Sequence, residues 1–217
     1  LRRAIELNPS YAAAYHWYGL DYLALQGRFA EARKTVRLAV ELDPLASIVR
    51  ESLGYVEFLA RQFEEAERAY RELIDFDHLF YKGWTSLGRA LYFQGRYEEA
   101  IAAFLKGRSL AGELPTLISA LAQTYAVAGH PDKAAATLKE LEAIAAERYV
   151  PWACYAIVQL GFGNQEEALR LLEKACAERE LQLAAIAVHP VWDPLRGQPV
   201  FENIVRTVGV SNASVDA

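Results

Sequence analysis

The chain has 217 residues, 53% of them hydrophobic, with 23 basic and 28 acidic side chains and a net charge of −5. The acidic excess is confined to the second half (15 basic and 15 acidic groups in residues 1–110, 8 and 13 in 111–217). No basic stripe is left to neutralise phosphates, which argues against nucleic-acid binding by this fragment, and no uncharged apolar run of about 18 residues exists to insert in a membrane.

Residues 1–10 (LRRAIELNPS) read as the second half of a truncated repeat. The chain lacks any methionine, so further repeats are expected upstream of Leu1. The phrases QGRFAEA, ARQFEEA, QGRYEEA, AGHPDKA and FGNQEEA follow, and they place Ala32, Ala66, Ala100, Ala134 and Ala168 at intervals of 34. That period accommodates two helices of about 12–14 residues and two short turns, the signature of a helical solenoid. It predicts five hairpins over 11–44, 45–78, 79–112, 113–147 and 148–180. Five residues before each alanine stand Gly27, Arg61, Gly95, Gly129 and Gly163, a position that favours a left-handed backbone after a helix end. Arg61 is the exception, and strain or a looser turn is expected there.

Acidic residues open each second helix: Glu31, Glu64 and Glu65, Glu98 and Glu99, Asp132, Glu166 and Glu167. Negative charge is favourable at a helix N-terminus, so these read as helix starts and not as paired catalytic carboxylates. Asn164 suits an N-cap and Pro131 a first helical position. Small residues at Gly19, Gly54, Gly88, Ala122 and Ala156 let paired helices approach. Gly19 precedes Gly54 by 35, as Pro9 precedes Pro44, so the first hairpin carries one extra residue near its internal turn. Large side chains at spacings of three, four and seven (Tyr15, Tyr18 and Tyr22; Leu53 and Tyr70; Trp84, Leu87, Leu91, Tyr97 and Phe104; Leu121, Tyr125 and Leu138; Trp152, Tyr155 and Leu172) form the core stripe.

After residue 180 the pattern stops. Pro190, Pro194 and Pro199 exclude a helix before Val200, and Val200–Val208 then predicts a short amphipathic helix with Phe201, Ile204, Val205 and Val208 on one face. Residues 181–210 therefore read as a cap over the last hairpin, and 211–217 as a disordered tail.

An early Trp or Tyr, the pairs Leu53-Gly54 and Leu87-Gly88, the glycine turn, the second-helix alanine and closing phrases such as AIELNP and AVELDP together resemble the tetratricopeptide repeat. The resemblance covers residues 1 to about 180. The fourth and fifth repeats depart from it, with Leu121-Ala122 and Tyr155-Ala156 and no closing proline. It implies an all-α, right-handed superhelix of five hairpins, a half repeat and a C-terminal capping helix. The ending DPLR…PxF is also similar to that of tetratricopeptide modules in bacterial winged-helix activators, Ser/Thr kinases and cyclases.

In that family the first helices line a concave groove. The resemblance assigns to it Glu51, Tyr55 and Phe58; Lys82, Thr85, Arg89 and Tyr92; Ser119 and Gln123; Ala153 and Ile157; and His16 or Trp17. Tyr55, Arg89 and Tyr92 are residue types that anchor binding hot spots. A basic clamp for a chaperone tail is not matched, since Glu51 and Tyr55 stand where it would need basic and amide groups and only Lys82 fits.

Nothing in the pattern points to catalysis, a metal or a cofactor. His16, His78, His130 and His189 are scattered, Gly161-Phe162-Gly163 lacks a third glycine and a preceding strand, and no nucleophile elbow occurs. Cys154 and Cys176 read as small buried hydrophobes, not a disulfide, and fix no compartment. Two functions follow as expectations: a scaffold holding a peptide or helix of a partner protein, or a sensor module of a bacterial multidomain regulator. Self-association through the face of the half repeat is open to either.

Overall fold

The computed structural model describes residues 1–209; the tail expected at 211–217 lies outside the described residues. After α1 (Arg2–Leu7) the chain forms helical hairpins: α2 (Ala12–Trp17) with α3 (Phe29–Leu42), α4 (Ser47–Leu59) with α5 (Phe63–Phe76), α6 (Tyr81–Phe93) with α7 (Tyr97–Ala111), α8 (Pro115–Val127) with α9 (Pro131–Glu147), and α10 (Trp152–Gly161) with α11 (Gln165–Ala177). Short 3₁₀ turns over Leu181–Ala185 and Pro190–Leu195 lead to α12 (Pro199–Val208). The architecture is an all-α superhelix with one large core running from Leu23 to Val205.

The hairpins close on the small residues. Ala32, Ala66, Ala100, Ala134 and Ala168 are all fully buried. A methyl group on Gly54 would sit 2.4 Å from the Tyr70 ring, and one on Gly88 2.7 Å from the Phe104 ring. In the first hairpin the partner of Gly19 is Val36, one residue further along than the other pairs. The extra residue is absorbed within the helix and not at the turn: α2 continues through a π-helical stretch, Tyr18–Leu23, and a 3₁₀ turn, Ala24–Gln26. Such wide turns insert a residue without breaking a helix. They also turn the side chains, so Tyr22, expected in the core, is 42% exposed and stacks on Tyr18 with centroids 5.2 Å apart.

The turn at Arg61 is not looser than its glycine counterparts. Arg61 takes φ 62° beside 73° at Gly27 and 74° at Gly95, and Gln62 N–H donates to Glu57 C=O at 2.9 Å as Arg96 N–H does to Leu91 C=O at 3.0 Å. A left-handed non-glycine residue costs about 1–2 kcal/mol, so something else must hold the arginine there.

Asn164 does not cap α11 with its side chain; its amide donates to Gln159 Oε1 at 2.8 Å. The start of α10 is capped instead from 28 residues away. Glu180 accepts from the backbone N–H groups of Trp152 (2.6 Å) and Ala153 (3.1 Å) and from the Tyr149 hydroxyl (2.7 Å). A carboxylate at a helix N-terminus satisfies orphan donors and complements the dipole. Here it also pins the chain where it leaves the last hairpin.

Candidate functional site

From Glu180 the chain does more than cover the last hairpin. Residues 181–196 cross the face built by the first helices α4, α6, α8 and α10, forming a strap over the groove. Its own Leu183, Ile186, Val188, Trp192 and Leu195 are buried, and its His189 packs on Phe58 (centroids 5.3 Å) and Tyr55 (6.5 Å). Arg61 fastens it. Nε and Nη2 donate to the two carboxylate oxygens of Asp193 at 3.0 and 2.6 Å, and Nη1 donates to Leu59 C=O at 2.8 Å and Val188 C=O at 3.2 Å. Bidentate pairing of this kind is stronger and more geometrically specific than a single contact. It accounts for a strained arginine where the other turns have glycine. Asp193 also accepts from Arg196 Nε at 2.6 Å.

The strap divides the residues expected to line the groove. Phe58 (1% exposed) is sealed between His189, Phe63 and Phe93, and Ser119 (0%) donates to Thr116 C=O; neither presents surface to a partner. Ala153 is buried and Ile157 half-buried; both border a cavity of about 210 Å³ that the strap walls on one side, together with Gln123. Toward the N-terminus lies a cavity of about 330 Å³, bordered by Trp17, Glu51, Lys82 and Thr85. Tyr55, Arg89 and Thr116 line both cavities, while Tyr92 borders only the one beside the strap. Of the two candidates from α2, His16 is buried with Nδ1 3.0 Å from Ser52 Oγ, and Trp17 is half exposed at the open cavity.

Gly161 sets the approach of α10 to α8. A methyl group there would lie 2.7 Å from the Gln123 Cα, so the absence of a side chain lets α10 press on the backbone of α8 at a groove residue. That is the structural use of a glycine whose sequence context lacks the third glycine and the strand of a phosphate loop.

Burial governs the electrostatics. The Glu51 carboxyl is raised above its ordinary range by desolvation, moderated by the Ser86 hydroxyl, which donates to it at 2.8 Å. The Tyr55 phenol is pushed up to about 12, as is the Cys154 thiol; Cys154 and Cys176 are both free. His189 Nδ1 accepts from the Val191 N–H at 3.1 Å, which places the ring proton on Nε2. Burial first, then Arg89, Arg61 and Arg196, lowers its pKa from 6.5 to about 3.

A neutral buried histidine links stability to pH. The unfolded chain takes up a proton near pH 6.5 that the native His189 refuses until about pH 3, so its contribution is complete above 6.5 and is lost progressively as pH falls through that window. His16, also lowered by burial, acts in the same direction. Between pH 6.5 and about 5, where ordinary carboxylates stay ionised, the histidine contribution to the free energy of unfolding is expected to fall as acid is added, opposed by the raised carboxyls of Glu51 and Asp21. Chemical denaturation at stepped pH should show a shallower fall in His189→Gln, and equal slopes would refute the assignment.

Among the described residues no group of His, Cys, Asp and Glu is placed to hold a metal ion, and no helix is long and apolar enough to cross a membrane.

Models of the tetratricopeptide repeat match residues 1–47, 21–77 and 52–113, and a second such model matches 119–140 and 150–174. No curated protein matches the sequence. Solved structures similar to this one include TTC0263, a thermophilic TPR protein in Thermus thermophilus, at 20% identity over 80% of this chain and 94% of that chain, TM-score 0.63. YrrB, a TPR protein with an unusual peptide-binding site, is 18% identical over 85% of this chain and 95% of that one, TM-score 0.52. Pseudomonas aeruginosa pilF is 17% identical over 91% and 90%, TM-score 0.59. At these identities the likeness is one of fold.

Proposed function

We propose, from the premise that this chain belongs to the tetratricopeptide repeat family, whose fold serves as a protein-interaction scaffold, that its open N-terminal groove holds a peptide or helix of a partner protein. The observation that carries this reading is the cavity of about 330 Å³ beside Trp17, Tyr55, Tyr81, Lys82 and Arg89. Aromatic side chains there offer large contact area with polar handles at modest entropy cost. Among the described residues, neither Lys82 nor Arg89 has a counter-ion within ion-pair distance. A segment with an apolar anchor and an acidic neighbour fits such a surface. The peptide-binding site of the structurally similar YrrB supports a peptide as the ligand class.

Because the strap covers the C-terminal half of the face, the partner would engage α2, α4, α6 and the start of α8. Ser119, Ala153 and Ile157 fall outside this reading. The test is affinity capture with the wild type and a Trp17→Ala, Lys82→Glu variant, followed by amide exchange on the recovered complex. Both side chains lie at the surface of the groove, so folding should survive, as a thermal melt would verify. A partner retained by the wild type, lost by the variant and protecting α2, α4 and α6 is expected; protection confined to the outer helices α3, α5 and α7 would overturn the groove assignment.

A further inference from the structure

The strap walls a second compartment, and its chemistry differs from that of the groove. We propose that the cavity between α8, α10 and the strap binds a small free monocarboxylate with a compact apolar body, held by Arg89.

Its volume of about 210 Å³ exceeds the roughly 150 Å³ of an apolar protein cavity known to admit benzene, which leaves room for a planar acid built on one small ring. The walls are largely apolar, from Phe93, Phe104, Ile157 and Trp192, with a few convergent polar groups, the composition of a small-molecule pocket. No aspartate or glutamate lines it. The acidic neighbour in the adjoining compartment, Glu51, accepts from Ser86 and borders only the open cavity. Arg89 therefore lines the cavity without a hydrogen bond or an ion pair at contact distance among the described residues, although the Glu51 carboxyl lies near enough to feel its charge, and it stands beside Gln123, which is 7% exposed.

The planar fork of a half-buried guanidinium matches the two oxygens of a carboxylate, and apolar walls around such a pair strengthen it. His189 also lines the cavity and carries its proton on Nε2, since Nδ1 accepts from the Val191 N–H. A spherical inorganic anion would satisfy Arg89 and leave the apolar walls unfilled, so the ligand needs both a carboxylate and a hydrophobic body. The inference shares Arg89 with the peptide reading, since that side chain lines both compartments, and the two are separated by the residues that only one compartment contains, Gln123 and Trp192 here and Trp17 and Lys82 there.

Sodium benzoate is the probe, with benzamide as its neutral isostere. Amide and indole NMR spectra of the wild type are expected to show saturable benzoate-dependent shifts at Gln123 and at the Trp192 indole. Affinity should fall tenfold or more for benzamide and for Arg89→Met, whose fold should persist because Arg89 makes no hydrogen bond or ion pair among the described residues. If that variant melts early, the benzoate and benzamide titrations of the wild type decide alone. Equal binding of the two probes, or benzoate shifts placed at Trp17 and Lys82, would overturn the proposal. So would silence toward benzoate while an acidic peptide binds in an Arg89-dependent manner, which would assign the arginine to the peptide groove. Loss of partner capture in the Trp17 and Lys82 variant, with benzoate binding unchanged, would show that the two sites are separate.

Discussion

Trp192→Ala is expected to destabilise the protein by about 3–5 kcal/mol, the range for removing a large aromatic side chain from a packed interior. Trp192 is 3% exposed and belongs to the same core as Phe58, Phe93 and Phe104. Its removal deletes the largest side chain of the strap and merges its volume with the cavity of about 210 Å³. Little collapse is available, because the strap is tied on both sides, at Glu180 by three hydrogen bonds and at Asp193 by Arg61. Urea titration followed by circular dichroism would measure the loss. Hydrogen exchange should show residues 181–196 opening before the hairpins do. A loss below about 1 kcal/mol would mean that the strap is a surface covering and not part of the core.

Gly54→Val should cost about 3 kcal/mol, the upper end of overpacking penalties. Removing a glycine from a helix interior normally gains up to about 1 kcal/mol, so the sign depends on space. At Gly54 the first added carbon already lies 2.4, 2.7 and 2.8 Å from three carbons of the Tyr70 ring, and that ring is 1% exposed with nowhere to retreat. Overlap wins. Gly95→Ala is the informative comparison, since a methyl there meets nothing within 4 Å and only the left-handed backbone, φ 74°, resists it. Its cost should stay near 1–2 kcal/mol. Thermal or urea melts of the two variants separate contact from conformation, and equal losses would refute the argument.

The hairpin array is legible in the sequence because one physical requirement recurs: two helices can pack closely only where a small residue faces a large one. Gly54 with Tyr70 and Gly88 with Phe104 repeat that requirement at a fixed interval, as do the buried alanines. The extra residue before Gly54 can be counted, but its place cannot, because a π-helical stretch has no strong composition of its own. The strap escapes a sequence reading for a related reason. Prolines at 190, 194 and 199 correctly exclude a long helix, yet an irregular segment carries no period from which to deduce what it covers. Two clues are present. Arg61 stands where glycine is expected, and the DPLR phrase supplies the carboxylate that pairs with it, together with Arg196. What cannot be read locally is that these residues meet, as nothing in either turn specifies a partner so distant in sequence. Phe58 misleads in the same way: it faces the concave side, but the chain itself lies over it.

The Arg61–Asp193 pair spans 132 residues. In an open repeat array each unit touches only its neighbours, so stability behaves as a one-dimensional sum and the ends fray independently. A tie of that sequence separation, with Leu25 of the first hairpin and Val208 of α12 bordering one common cavity, gives this array a cross-link between distant units. The linear chain of couplings becomes a loop, whose hairpins lose the freedom to melt one at a time.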